Sequence, residues 1–279
     1  MDLAHILLAD IWFGILGLFL IFYVVLDGFD LGIGIISLVA KTEQRRDVMM
    51  SSVGSVWDAN ETWLVVFGGA LFGAFPDAYG AVLHGLYIPV SIMLFALIFR
   101  GISFEFREHG HHKGIWSLAF GYGSLAAGLA QGFALGAVIG GFPVVDGQFV
   151  GGVWHWLSLF SLLTAMGVVS GYVLLGACYL IMKTEGEIQQ RMYRIAAIAA
   201  LVMAACGIAV SVWTPLRFDY VAARWFSGPA MGWLVPLPVA AVGAFLMLLR
   251  ALAKGRERSP FVWSVLIFLL SFLGLAVTL

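Results

Sequence analysis

The stretch Ile11–Gly34, IWFGILGLFLIFYVVLDGFDLGIG, runs uncharged through its first sixteen residues and then places Asp27 and Asp30 inside the same apolar segment. A hydrocarbon core of about 30 Å needs about twenty apolar residues as a helix. The stretch is long enough to cross. Similar runs recur along the 279 residues, of which 62% are hydrophobic and only 11% charged. A membrane β-barrel would alternate apolar and polar positions over segments of about ten residues. These runs are instead continuously apolar and rich in Gly and Ala at close-packing spacings. The fold class is all-α, a polytopic helical membrane protein.

The N-terminus, MDLAHILLAD, has neither the basic segment nor the small-residue cleavage site of a signal peptide, so the first run is expected to stay as a membrane helix. Cys178 and Cys206 lie in apolar runs without CxxC spacing, which argues against a disulfide framework, a zinc site or an iron–sulfur site. The net charge of -1 matters less than its distribution. No nucleic-acid partner is expected; membrane lipids are.

Spans are expected at roughly 6–39, 51–75, 81–107, 116–142, 154–182, 194–214, 232–253 and 261–279, each bounded by charged, Gly or Pro residues. All Lys and Arg except Arg217 and Arg224 fall in or beside the odd-numbered connections, 13 of the 15. The positive-inside rule then places those connections in the cytoplasm and both termini outside. Eight crossings divide at the 143–153 loop into two four-helix bundles, residues 1–142 and 143–279, the first carrying the ionisable groups. Trp12, Trp116, Trp154 and Trp156 read as interfacial anchors.

Asp27 and Asp30 are three residues apart and share a helical face, and Gly28 and Gly32 form a small-xxx-small pair that lets another backbone approach. In the second span, GSVWDANETW from Gly54 to Trp63, the residues Trp57, Asp58, Glu61 and Thr62 fall within an arc of roughly 140°, with Asn60 and Trp63 pointing elsewhere. Helix rise puts Asp30 and Asp58 roughly 10–15 Å, and Arg100 roughly 10 Å, inside the cytoplasmic boundary. Three spans thus contribute ionisable groups to one layer. A buried Asp–Arg pair that merely locks helices together is the simpler reading. One arginine, however, cannot neutralise four carboxylates. Intramembrane charges cost at least about 2.5–3.5 kcal/mol each and normally pair, face water or relay protons. Carboxylates that change protonation state are what a proton path requires.

The histidines are less informative. His84 near the outer end of the third span reads more readily as a packing residue than as a haem ligand, and His109, His111 and His112 belong to a solvated cytoplasmic loop. A proton-coupled secondary transporter also fits buried acids and two helical groups, with Pro236 and Pro238 as the only hint of a broken helix.

The blocks VVLDGFDLGIG, SVWDANETWLVVFGGALFGAFPDAY, IFRGISFEFREHG and LIMKTEGEIQQR resemble the signature segments of subunit II of cytochrome bd-type quinol oxidases, and the likeness runs over essentially the whole chain. WDANETW together with LHGLYIP is similar to the cyanide-insensitive branch. The resemblance implies a respiratory complex of the bacterial inner membrane that oxidises quinol and reduces dioxygen to water. It also implies a haem-bearing partner, subunit I, holding haems b558, b595 and d. This chain would then bind no haem directly and would assist proton delivery. Some members hold a structural quinone in subunit II, and some complexes add a small single-helix subunit. Carried over, Asp58 and Trp57 match the pair on the family's cytoplasmic proton path, Asp30 matches the second Asp of DGFD, and Arg100 matches the arginine of the FR pair, a structural ion-pair partner. Asp27 and Glu61 join this path on geometry, and Trp63 matches a position beside a proposed oxygen route. Family members usually continue into a ninth helix, whereas this sequence stops at Leu279.

Overall fold

The computed structural model describes residues 3–109, 112–146, 148–226 and 231–278. His111 lies outside the described residues. In chain order the elements are α1 (Leu3–Ser37), α2 (Glu43–Val53), α3 (Trp57–Ala74), α4 (Pro76–Gly85), α5 (Tyr87–His109), α6 (Lys113–Gly140), β1 (Val144–Val145), β2 (Gln148–Phe149), α7 (Leu159–Lys183), α8 (Gly186–Arg217), α9 (Asp219–Phe226), α10 (Met231–Leu234), α11 (Pro236–Ala253) and α12 (Ser259–Thr278). Local chemistry sets many of the ends. Thr42 and Ser158 cap α2 and α7 by accepting from the backbone N–H groups of Arg45 and Ser161, at 3.4 and 3.0 Å. Pro76 and Pro236 open α4 and α11, where a missing N–H leaves no bond unmade.

Among the described residues seven helices are long and apolar enough to cross a membrane: α1, α5, α6, α7, α8, α11 and α12. The second expected span, 51–75, divides at residues 54–56 into α2 and α3, and α3, carrying Asp58 and Glu61, is not among the seven. The third, 81–107, breaks at Leu86 between α4 and α5. The first break falls at Gly54-Ser55 and the second directly after Gly85, small residues that the expected spans took in as helix.

Helix α1 packs against α3, α6 and α7; α6 packs also on α5, α7 on α8 and α12, and α11 on α12. One hydrophobic core joins Leu31, Phe120, Leu174, Leu248 and Ile267, so residues from both expected halves share it. The seam between α1 and α7 depends on glycine. A Cβ on Gly32 would lie 1.8 Å from the Tyr172 carbonyl oxygen, and one on Gly176 would lie 2.6 Å from the Ile33 nitrogen. The seam continues along α6, where Gly132 and Gly136 approach the backbones of Ala165 and Ser161. Without water to drive helices together, such close backbone packing is what holds membrane helices side by side.

At the end holding the 38–42 connection and the start of α6, charged groups bind the helices to each other. Arg107 Nη1 and Nη2 reach Asp47 Oδ1 and Glu43 Oε2 at 2.5 and 3.0 Å, and Arg46 pairs with Glu43 while donating to the carbonyls of Ser37 and Ala40. Arg45 reaches Glu187 at 2.5 Å, and Arg191 donates to Val39 O at 2.8 Å, which ties α2 and the 38–42 turn to α8. Partial burial works against the Glu43 charge, but hydrogen bonds from Ser117, Arg107 and Arg46 outweigh it and hold the carboxyl below the ordinary glutamate range. At the opposite end, the β1–β2 hairpin flanks a cleft of about 490 Å³ lined by His84, Tyr87, Ile88 and Phe149.

Two outcomes are expected. Gly32→Val should lower the melting temperature or abolish accumulation of the protein in membranes, since overpacking costs at least about 1–3 kcal/mol and backbone must move here. Gly14→Ala, with nothing within 4 Å of the added carbon, should be silent in the same assay. Because its folded value is depressed, Glu43 contributes stability above the unfolded glutamate range, and that contribution disappears as pH falls through the folded value. Glu43→Gln should therefore destabilise at pH 7, with the gap to wild type closing below about pH 4.

Candidate functional site: a shared guanidinium among buried acids

Arg100 sits on α5 with a fully buried side chain, and three carboxylates from two other helices surround it. Its Nη1 lies 2.7 Å from Asp27 Oδ1 and 3.7 Å from Glu61 Oε2, and its Nη2 lies 3.7 Å from Asp30 Oδ2. Asp27 and Asp30 are likewise fully buried, whereas the Glu61 side chain keeps 23% of its surface exposed. α1 supplies both aspartates because a spacing of three keeps them on one face. Glycine helps seat the site from both sides. Gly28 lies between the aspartates against the Tyr172 ring, and Gly123 on α6 lets the Arg100 backbone approach.

Charge is unbalanced, and so is hydrogen bonding. Outside the ion pairs, Asp27 Oδ2, Asp30 Oδ1 and Arg100 Nε are buried without an aligned hydrogen bond in the chain. Each unsatisfied buried polar group costs about 1–3 kcal/mol, more when charged. A site built only to hold helices together would be cheaper with fewer acids, so the excess points to ionisable groups kept for use.

The structure brings together Asp27, Asp30, Glu61 and Arg100, and it leaves Asp58 apart from the buried layer. Asp58 is exposed in the first turn of α3, where the helix dipole favours negative charge. Thr62, also exposed, donates its hydroxyl back to the Asp58 carbonyl at 2.9 Å. The stripe expected to include Asp58 is turned about the helix axis. Its inward face is Asn60, Trp57 and Glu61, an arc of roughly 100°. Asn60, expected to point elsewhere, is buried and donates to Asp30 Oδ2 at 2.8 Å and, more weakly, to Leu26 O at 3.3 Å. Helical spacing gives only relative angles; which side of α3 faces in is decided by its packing on α1, where Asn60 serves Asp30. Asp58 remains close enough for its charge to be felt by Glu61.

Trp57 stacks on Phe104 with centroids 5.0 Å apart and rings 4° from parallel, while Gly101 leaves space for its edge. Trp63 lies 4.8 Å from Phe22 and 5.8 Å from Phe19 on α1, in an aromatic group separate from the acids. Sequence reasoning missed Asn60 as a partner of Asp30, and it missed the buried polar residues Tyr23, Gln131 and Tyr172 nearby. Gln131 offered a signal: it is a long amide in the otherwise apolar run SLAAGLAQGFALGAV. Among the described residues no group of three or more His, Cys, Asp or Glu is placed to hold a metal ion. His84 stands by the distant cleft, 5.5 Å from the Phe149 ring.

Comparison with known proteins gives the arrangement a family. The profile of cytochrome bd terminal oxidase subunit II matches residues 8–279. Subunit 2 of the cytochrome bd-I ubiquinol oxidase of Escherichia coli K12 is 32% identical over 222 residues, covering 76% of this chain and 58% of that protein. Subunit 2 of the cytochrome bd ubiquinol oxidase of Bacillus subtilis 168 is 32% identical over 194 residues, covering 68% and 57%. The chain thus spans less than two thirds of these relatives' length. A chain of the bd oxidase of Geobacillus thermodenitrificans superposes with a TM-score of 0.82, covering 97% of this chain and 84% of that one at 18% identity, a likeness of fold. With the match running through both the acid-bearing and the later helices, the chain belongs to the cytochrome bd terminal oxidase subunit II family.

Proposed function

We propose that this chain is the non-haem subunit of a cytochrome bd-type quinol:oxygen oxidoreductase of the bacterial inner membrane, and that it helps carry cytoplasmic protons towards the site where dioxygen is reduced. The observation that carries the reading is the surplus of buried acids: Asp27, Asp30 and Glu61 within 4 Å of the single guanidinium of Arg100. Family membership favours the oxidase over the proton-coupled transporter that such acids also allow.

In this reading α3 makes the eighth crossing, the helices form two four-helix groups, and both termini face the periplasm. Haems b558, b595 and d belong to the partner subunit I, which also oxidises the quinol; ubiquinol is the substrate named for two relatives. Bound there, the haems would pass the quinol's electrons to dioxygen. The work of this chain is to hold and move protons. Asp58, exposed on α3, receives a proton from the cytoplasmic side. Glu61 stands between Asp58 and the buried layer, partly exposed and 3.7 Å from Arg100. Asp30, held by Asn60, is the inner acid, and Asp27 is the closest counter-ion of Arg100. Trp57 shields the layer by stacking on Phe104, and Trp63 lines an oxygen route on the outer face of α1 and α3. Drawing water-forming protons from inside, while quinol oxidation releases protons outside, conserves energy without a pump. A structural quinone and a small single-helix subunit complete the assembly.

In the assembled oxidase, Asp58→Asn and Glu61→Gln should lower quinol-driven oxygen consumption about tenfold, or about 1.4 kcal/mol in barrier, with haem content unchanged. Normal turnover in both variants would sink the proton-path reading, and loss of haem-bearing complex would reduce the acids to a structural role. Arg100→Ala should act differently. It strands buried acids at a cost of about 3–5 kcal/mol, so the expected result is loss of assembled complex, scored by the reduced-minus-oxidised spectrum of solubilised membranes.

A further inference from the structure

Three polar side chains outside the acid cluster form a hydrogen-bonded row across three helices. Tyr172 on α7 donates its hydroxyl to Gln131 Oε1 on α6 at 2.5 Å, and Gln131 Nε2 donates to the Tyr23 hydroxyl on α1 at 2.7 Å. Both tyrosines are 2% exposed. A phenol has one proton to give, and buried polar groups are nearly always paired. Tyr172 spends its proton on Gln131. Tyr23 receives one from Gln131, so its own proton is directed elsewhere. One turn along α1, on the same face, is Asp27, which lies beside Tyr23 and whose Oδ2, unlike Oδ1, is in no ion pair with Arg100.

We propose that Gln131 acts as a positioning residue: through Tyr23 it holds Asp27 against Arg100 and so leaves Asp30 and Glu61 as the acids free to exchange protons. The groups facing Asp27 are Tyr23 and Asp30 from α1, Glu61 from α3, Arg100 from α5 and Tyr172 from α7. Among these the phenols are the neutral donors and Arg100 the only cation. Donation from Tyr23 strengthens Asp27 as an anion, and the nearest anion claims the guanidinium. The 2.7 Å contact to Asp27, against 3.7 Å to Asp30 and to Glu61, has that order. The two bonds run one way, from Tyr172 through Gln131 to Tyr23, which leaves the Tyr23 proton as the one available to Asp27. The inference rests on the proton-path reading above.

The experiment is the pH profile of quinol-driven oxygen consumption by the assembled oxidase carrying Tyr23→Phe, Gln131→Leu or both, with haem content as the measure of assembly. Losing the donor weakens Asp27 as partner, and Arg100 then holds Asp30 and Glu61 in their charged form. The alkaline limb of turnover should move to lower pH by about half a unit or more in either single variant. The double variant should move no further than the larger single, because both substitutions cut one chain. Tyr172→Phe should shift it less, since Gln131 keeps its bond to Tyr23. Profiles that superpose on wild type in fully haem-loaded complexes would overturn the inference, and so would lower yield with an unmoved profile. Failure of the underlying reading has a different signature: full turnover in Asp58→Asn and Glu61→Gln.

Discussion

One guanidinium shared among three buried carboxylates is the constraint around which the first half of this protein is arranged. Arg100 has to be buried at the depth of Asp27 and Asp30, which requires α5 to come close to α1 and α3 and requires α6 to yield space at Gly123. The same layer fixes the phase of α3, because Asn60 must turn inward to serve Asp30. Apolar packing alone would allow several rotations of such a helix. The polar bonds select one, in the way that a single buried polar pair can fix the register of a coiled coil.

Much of this was legible in the sequence. Apolar run length gave the membrane class, the spacing of Asp27 and Asp30 gave one face, and Gly28 and Gly32 marked a close approach that the structure places against α7. Loop charge and helix rise brought Arg100 to the depth of Asp30. The phase of α3 was not legible. A helical wheel fixes only relative angles, and choosing the acids as its inward side ignores that packing on α1 decides which side faces in. That error exchanged Asn60 for Asp58. The Tyr23–Gln131–Tyr172 row was hidden for another reason: its members lie 41 and 108 residues apart, and no local pattern joins them.

The two ends of the molecule are organised by different forces. The end with the 38–42 turn is held by arginines on carboxylates and carbonyls, bonds that are individually weak where exposed and that gain from acting as a network. The interior seam between α1, α6 and α7 is built instead on close glycine contacts. The acid cluster lies between these regimes, buried by the seam and within a few helical turns of the charged end. That location is what a group exchanging protons with one side of a membrane needs.

The restart of α3 has one more consequence. The helix is 18 residues long, as is α11, but unlike α11 it opens on polar residues, Asp58, Asn60 and Glu61, and its N-cap Val56 makes no side-chain cap bond. Uncapped N–H groups cannot be left in lipid. In the crossing arrangement proposed, the first turn of α3 therefore meets polar surroundings rather than hydrocarbon. Asp58, exposed in that turn, then opens onto those surroundings, and Glu61, three residues on and 3.7 Å from Arg100, is the step between them and the buried guanidinium.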